Sequence, residues 1–110
     1  MSQSKLVRDK IPAIIRAKGQ HAITRVANAE EYGLLLRAKL SEEVAEFLAS
    51  DDDPEELADI LEVLFALAEY VGTGPEQLEK LRAVKALERG GFAGRIVWSG
   101  NRPAGPAAGD

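Results

Sequence analysis

The chain has 110 residues, a formal net charge of −4 and no cysteine. That length bounds it to one small domain. The acidic balance argues against a nucleic-acid polymer as partner, since such a partner needs a basic face, and the absence of thiols excludes a disulfide framework and leaves a structural zinc site without ligands. No apolar run approaches the roughly 20 residues of a membrane span, and the opening MSQSKLVRDKIP lacks the apolar centre of a signal peptide. The expected setting is therefore the cytoplasm, with no membrane partner.

In chain order, Leu6 to Arg8 reads as a short, apolar-edged extended segment. Asp9 offers a cap for a first helix through Ile11, Ile14 and Ile15, with Pro12 tolerable in its first turn and Gly19 near its end. The β-branched stretch Ala22 to Val26 predicts a short strand. The lone histidine, His21, precedes that stretch without a metal-ligand partner at useful spacing and reads as an ordinary surface residue. Asn28 and Glu31 have capping-box spacing ahead of a second helix whose apolar residues run from Tyr32 to Leu48. SDDDP breaks that helix, and Asp53 with Pro54 opens a third that continues to about Val71 and stops at Gly72. Thr73 and Glu76 form another box around Pro75, opening a fourth helix to Arg89 that Gly90 and Gly91 end. Phe92 to Trp98 reads as a strand pairing with an N-terminal segment, and Phe92 and Trp98 as packing residues. The final SGNRPAGPAAGD reads as a flexible tail.

The chemistry sits in two acid pairs, Glu43 with Glu46 in EEVAE and Glu56 with Asp59 in EELAD. An α-helix turns about 100° per residue, so members three apart lie about 60° apart on one side. Leu36, Leu40, Glu43 and Phe47 share a seam on the second helix; Glu56, Ile60, Val63 and Leu67 share one on the third, with Asp59 beside Val63. Both pairs thus touch the apolar seam, where an unpaired carboxylate is costly. Glu55, Glu62 and Glu69 fall on a different, solvated arc. Four converging carboxylates need a cation between them, and an all-oxygen ligand set suits Mg²⁺, with Mn²⁺ as a substitute, bound with a phosphate-bearing substrate.

Structural roles compete for the same residues. Glu56 is placed to complete a capping box with Asp53, Glu43 to pair with Lys39 one turn earlier, and Glu46 to sit on the surface. Asp51, Asp53, Glu55 and Glu62 mimic a calcium-binding hand, but Glu56 stands where its loop requires glycine. On the fourth helix Leu78, Leu81, Lys85 and Arg89 fall within about 80° of arc, so its apolar stripe turns cationic at its end. Those two cations suit phosphate oxygens and, equally, the negative end of the helix dipole. Arg8 and Lys10 add charge that the sequence does not place. No phosphate-binding or nucleophile loop (GxxxxGK[ST], GxGxxG or GxSxG) is present.

EEVAE followed, after nine intervening residues, by ELAD resembles the EExxE…ExxD signature of the MazG-like all-α nucleoside triphosphate pyrophosphohydrolases. KLVRDKIPAIIRAKG at the start and KALERGGFAGRIVW at the end look like the ends of a compact house-cleaning subgroup, so the resemblance covers residues 5 to 98. It implies an all-α, four-to-five-helix bundle over residues 1–98 with minor β segments near the termini, a tail over 99–110, and assembly as a homodimer or homotetramer with the site near the interface. It also implies that Glu43, Glu46, Glu56 and Asp59 hold Mg²⁺. Glu42 beside Glu43 would orient or deprotonate water, and Lys39, Lys85 and Arg89 would contact the nucleotide. The linker between the acid pairs is short beside that of longer family members. The implied reaction cleaves the α–β anhydride of a nucleoside triphosphate to the monophosphate and pyrophosphate. Phosphoribosyl-ATP pyrophosphohydrolysis and a non-catalytic helical dimer that serves as an interaction module are the alternatives.

Overall fold

A computed structural model describes residues 4–105. Residues 1–3, part of the opening read as no signal sequence, and 106–110 of the expected tail lie outside that range. Four helices make up the regular structure of the described residues: α1 (Ile11–Ala17), α2 (Ala29–Ala49), α3 (Pro54–Tyr70) and α4 (Pro75–Arg89). The fold is all-α. Among the described residues, no helix is long and apolar enough to cross a membrane.

The connection that matters most is α2 to α3. Asn28 caps α2 by accepting the Glu31 N–H at 2.9 Å, so that helix starts where its box predicts. At the other end the Ser50 hydroxyl donates to the Phe47 carbonyl (2.7 Å) and accepts the Asp53 N–H (3.2 Å), while Asp52 takes positive φ. Asp53 then accepts the Glu55 N–H at 3.0 Å and caps α3, with Pro54 in its first turn. This tight reversal returns α3 along α2, and these two helices make the most extensive contact in the molecule. Leu36, Val63 and Ala68 are the buried apolar residues. Near Tyr70 the helices approach so closely that a Cβ on Gly33 would collide with the tyrosine ring, which also meets Tyr32 edge-on at 5.8 Å between centroids.

Elsewhere packing is sparse. α4 touches α3 but not α2, and α1 packs against no other helix. The radius of gyration is 20.5 Å with extents of 74 × 33 × 24 Å, whereas a compact chain of this length has about 13 Å.

Several local expectations fail for physical reasons. None of the described residues forms a strand, so the minor β segments at Ala22 to Val26 and Phe92 to Trp98 are absent. Ile23 (96% exposed) and Val26 (97%) have no neighbouring backbone to pair with, and β-propensity without a partner makes no ladder. In the second stretch a turn intervenes: the Arg95 N–H bonds the Phe92 carbonyl at 3.0 Å, with Arg95 at φ +56°. Phe92 and Trp98, expected to pack, are exposed. The first helix begins after Lys10 instead of Asp9, with no side-chain cap, and ends at Ala17. Gly74 at φ +84°, not Thr73, occupies the cap position of α4, so the second box does not form. Residues 99–105 carry no regular structure.

Candidate metal centre

The antiparallel α2–α3 pair gathers five carboxylates into two overlapping groups. Glu42, Glu43 and Glu46 place one oxygen each within 4.8 Å of one another, and so do Glu43, Glu56 and Asp59. Glu43 belongs to both. Its position on the Leu36–Leu40 seam puts it at the helix–helix contact, where it is 6% exposed and is the buried charged residue of the described chain. Glu42, Glu56 and Asp59 are half-buried and Glu46 is exposed.

Their partners are uneven. Lys39 bridges Glu43 at 3.2 Å and Glu42 at 3.5 Å from the preceding turn of α2. Lys5, 37 residues away, donates to Glu42 at 3.0 Å, and Arg8, 51 residues away, donates to Asp59 at 2.7 Å. By contrast, Oε1 of Glu43 and Oε1 of Glu56 are shielded from solvent and meet no hydrogen-bond donor. A buried acceptor without a donor is unfavourable, and Glu43 and Glu56 belong to one acid group. The capping-box reading of Glu56 fails on the same observation. Asp53 does accept an N–H at the start of α3, but it comes from Glu55, and the Glu56 carboxylate does not reach back to the cap.

The titration behaviour follows the charges. Glu46 is raised above the ordinary carboxylate range first by the negative charge of Glu43, then by burial and by Glu42 and Glu56. Burial, then Asp59, Asp53 and Glu43, raise Glu56. Glu42 goes the other way, lowered chiefly by the Lys5 hydrogen bond, and Lys5 is raised by the same contact. Among the described residues, Glu42, Glu43 and Asp59 thus have a paired cation, while Glu46 and Glu56 have none.

The donor set fits a hard divalent ion. All candidate ligands are carboxylate oxygens, the type Mg²⁺ and Mn²⁺ prefer, and the two orphaned oxygens supply lone pairs at the protected side. Of the residues singled out from sequence, the structure gathers Glu42, Glu43, Glu46, Glu56, Asp59 and Lys39. It does not bring Lys85 or Arg89 to them: both are exposed on α4 and make no ion pair with a described residue. Lys5 escaped sequence reasoning and Arg8 could not be placed, because no local spacing links them to acids so far along the chain. The acids of the SDDDP loop form no such group among the described residues.

Set against known proteins, the chain matches no family model and no solved structure. A protein of Mycolicibacterium smegmatis, described only as uncharacterized, is 50% identical over 48 residues, which cover 44% of this chain and 49% of that protein. The matched part thus spans about half the length of that relative.

Proposed function

We propose that the protein is a metal-dependent nucleotide pyrophosphohydrolase that cleaves the α–β anhydride of a nucleoside triphosphate, in the manner of the MazG-like enzymes whose signature its acids resemble. One observation carries the reading. Glu43 is buried at the junction of both acid groups with an oxygen that no protein donor satisfies. A purely structural glutamate at a helix contact would have its second oxygen hydrogen-bonded or solvated.

Glu43, Glu46, Glu56 and Asp59 would hold Mg²⁺ or Mn²⁺. The chemistry such an ion supplies is polarisation of phosphate oxygens and acidification of water. The remaining work falls to the chain. Glu42, held on the rim of the group by Lys39, orients the attacking water toward the α-phosphorus and receives its proton. Glu43, shared by both acid groups, fixes their relative position. Lys39, largely shielded at 17% side-chain exposure, is paired with Glu42 and Glu43 and offsets their charge, while Lys85 and Arg89 stand apart from the group on α4. Water attack at the α-phosphorus breaks the α–β bond and yields a nucleoside monophosphate and pyrophosphate.

The working form is an oligomer, either a homodimer or a homotetramer. The chain exposes 9722 Å², against about 6,000 Å² for a compact protein of its mass. Leu34 and Leu48 of α2 and Leu57 and Leu61 of α3 are among its exposed apolar residues, and a second copy would cover them. That apolar surface also supports the second reading, a non-catalytic helical dimer. One experiment separates the readings: pyrophosphate release with Mg²⁺ from a panel of canonical and modified nucleoside triphosphates and phosphoribosyl-ATP. Turnover of a triphosphate supports the main reading, and cleavage of phosphoribosyl-ATP alone moves the substrate to the histidine-pathway compound. No turnover, together with melting indifferent to Mg²⁺ and EDTA, leaves the interaction module.

A further inference from the structure

The segment before α1 crosses the acid group without belonging to any helix. Lys5 reaches Glu42 and Arg8 reaches Asp59, so one extended stretch touches acids on both α2 and α3. Little else holds it. Ser4, Lys5 and Leu6 line a small cleft beside Leu35, Ala38, Lys39 and Glu42 of α2, and the helix that follows packs on no other helix. The side chains of Lys5 and Arg8 are 51% and 55% exposed. Ion pairs of that exposure are weak, and the segment is tethered mainly by charge.

The charge balance suggests what the tether is for. Five carboxylates, Glu42, Glu43, Glu46, Glu56 and Asp59, face three cations, Lys5, Arg8 and Lys39. One divalent ion closes that deficit. An arriving polyphosphate then brings several new negative charges to the rim, where cations must meet them. Lys39 is shielded and committed to two glutamates, and Lys85 and Arg89 have no described link to the site. Arg8 uses a single N–H group on Asp59, which leaves the rest of its planar fork open for bidentate phosphate contact.

We propose that residues 5–8 form a phosphate-gripping arm: Lys5 and Arg8 neutralise Glu42 and Asp59 in the metal-free protein and pass to the substrate's phosphate oxygens once a divalent ion has joined the acid group and taken Asp59. The arm rests on the metal-centre reading given above, and it adds substrate-binding residues that the acid motif does not contain. It has a consequence that a merely bracing segment lacks. In the absence of phosphate the arm competes with the metal; in its presence it assists. Removing one arm cation must therefore move two affinities in opposite directions.

Calorimetric titration with Mn²⁺ alone, and with methylenediphosphonate in saturating Mn²⁺, reads both affinities without turnover. For Arg8→Gln the expected result is Mn²⁺ binding about 2- to 5-fold tighter, the reach of an exposed ion pair. Diphosphonate binding should weaken about 10-fold or more, the loss of charge-assisted hydrogen bonds. Lys5→Gln should follow in the same directions, and Arg8→Lys should recover part of the diphosphonate affinity. Circular dichroism of each variant establishes that the helices persist. Unchanged diphosphonate affinity in folded Arg8→Gln and Lys5→Gln, or weaker Mn²⁺ binding in both, overturns the arm while leaving the metal centre standing. Failure of the unaltered protein to bind Mn²⁺ overturns the metal centre and the arm with it.

Discussion

Helix α3 carries acids on two sides, and the two sets have different fates. Glu56 and Asp59 turn toward α2 and join Glu43, one with a shielded, unpartnered oxygen and the other clasped by Arg8. Glu55, Glu62 and Glu69 share the same helix and lie exposed. Residue type is nearly constant across the two sets, so position relative to the helix contact separates them. Water satisfies a carboxylate on the outer arc at no cost. On the inner arc the helix contact shields Oε1 of Glu56 from water without supplying a donor, and the part-exposed Asp59 takes Arg8.

The largest effect that would sharpen this contrast is on turnover. Replacing Glu43 or Asp59 by Gln or Asn keeps the shape and removes a ligand charge. Losing even an outer-sphere partner of a metal ligand costs 10- to 100-fold, so each change should lower pyrophosphate release by on the order of 100-fold or more. Melting of the metal-free variants should stay level or rise, because a repelling charge has gone. Glu56→Gln is the informative intermediate. Its carboxylate makes no cap, so it should lose activity and metal-dependent stabilisation without the stability loss of a broken cap.

Metal itself gives the next effect. At a hundredfold excess over Kd a bound ion stabilises the folded state by about 2.7 kcal/mol. For a domain of this size that raises the melting temperature by on the order of 10 °C. The shift should vanish in Glu43→Gln and persist in Glu62→Gln. A melting curve indifferent to Mg²⁺ and EDTA would remove the reason for treating the inner acids as a site.

Acid–base behaviour offers a smaller test with a definite sign. Glu46 and Glu56 titrate above their ordinary value of 4.5 in the folded metal-free protein. Between that value and their folded pKa the native state holds more protons than the unfolded chain, so stability falls as pH rises through the window. Glu31, Glu42 and Glu79, each lowered first by a hydrogen bond from Arg25, Lys5 or Arg82, act below the ordinary value, and stability is lost there as pH falls through their folded pKa. From these groups the metal-free protein should be most stable near the ordinary carboxylate pKa and weaken toward neutrality. Saturating Mg²⁺ should flatten the upper side, because ligated carboxylates no longer gain from protonation. A metal-free melting temperature that climbs steadily from pH 5 to 7 would contradict the crowding of the inner acids.

How much of this was legible in the sequence depended on range. The placement of Glu43 on the apolar seam required only helical arithmetic, and the caps at Asn28 and Asp53 are local signals that the folded chain uses. The same local logic overreached at Thr73, where Gly74 at positive φ supplied the cap position instead, and at Ala22 to Val26, where β-branched residues found no neighbour. Lys5 and Arg8 lay beyond its reach. Their partners are 37 and 51 residues away, and only the reversal between α2 and α3 brings both acids under one extended segment. The all-α class was readable because three long periodic stretches with clear breakers dominate the chain; the openness of the arrangement was not, because nothing local records which faces remain uncovered.

The smallest expected effect is the most exposing one. Glu62→Gln and Glu69→Gln alter the outer arc of α3, where both side chains are exposed and make no ion pair with a described residue. Surface substitutions of this kind stay within about 0.5 kcal/mol of the parent, so melting, Mn²⁺ affinity and pyrophosphate release should all remain close to those of the unaltered protein. Glu62 makes the stricter control, since it lies one turn beyond Asp59 and would feel any diffuse requirement for negative charge along α3. If the protein needed only a generally acidic helix, Glu62→Gln would cost as much as Asp59→Asn. Equal losses at the two positions would mean that the helix contact does not select the working acids, and the metal centre would have to be abandoned with it.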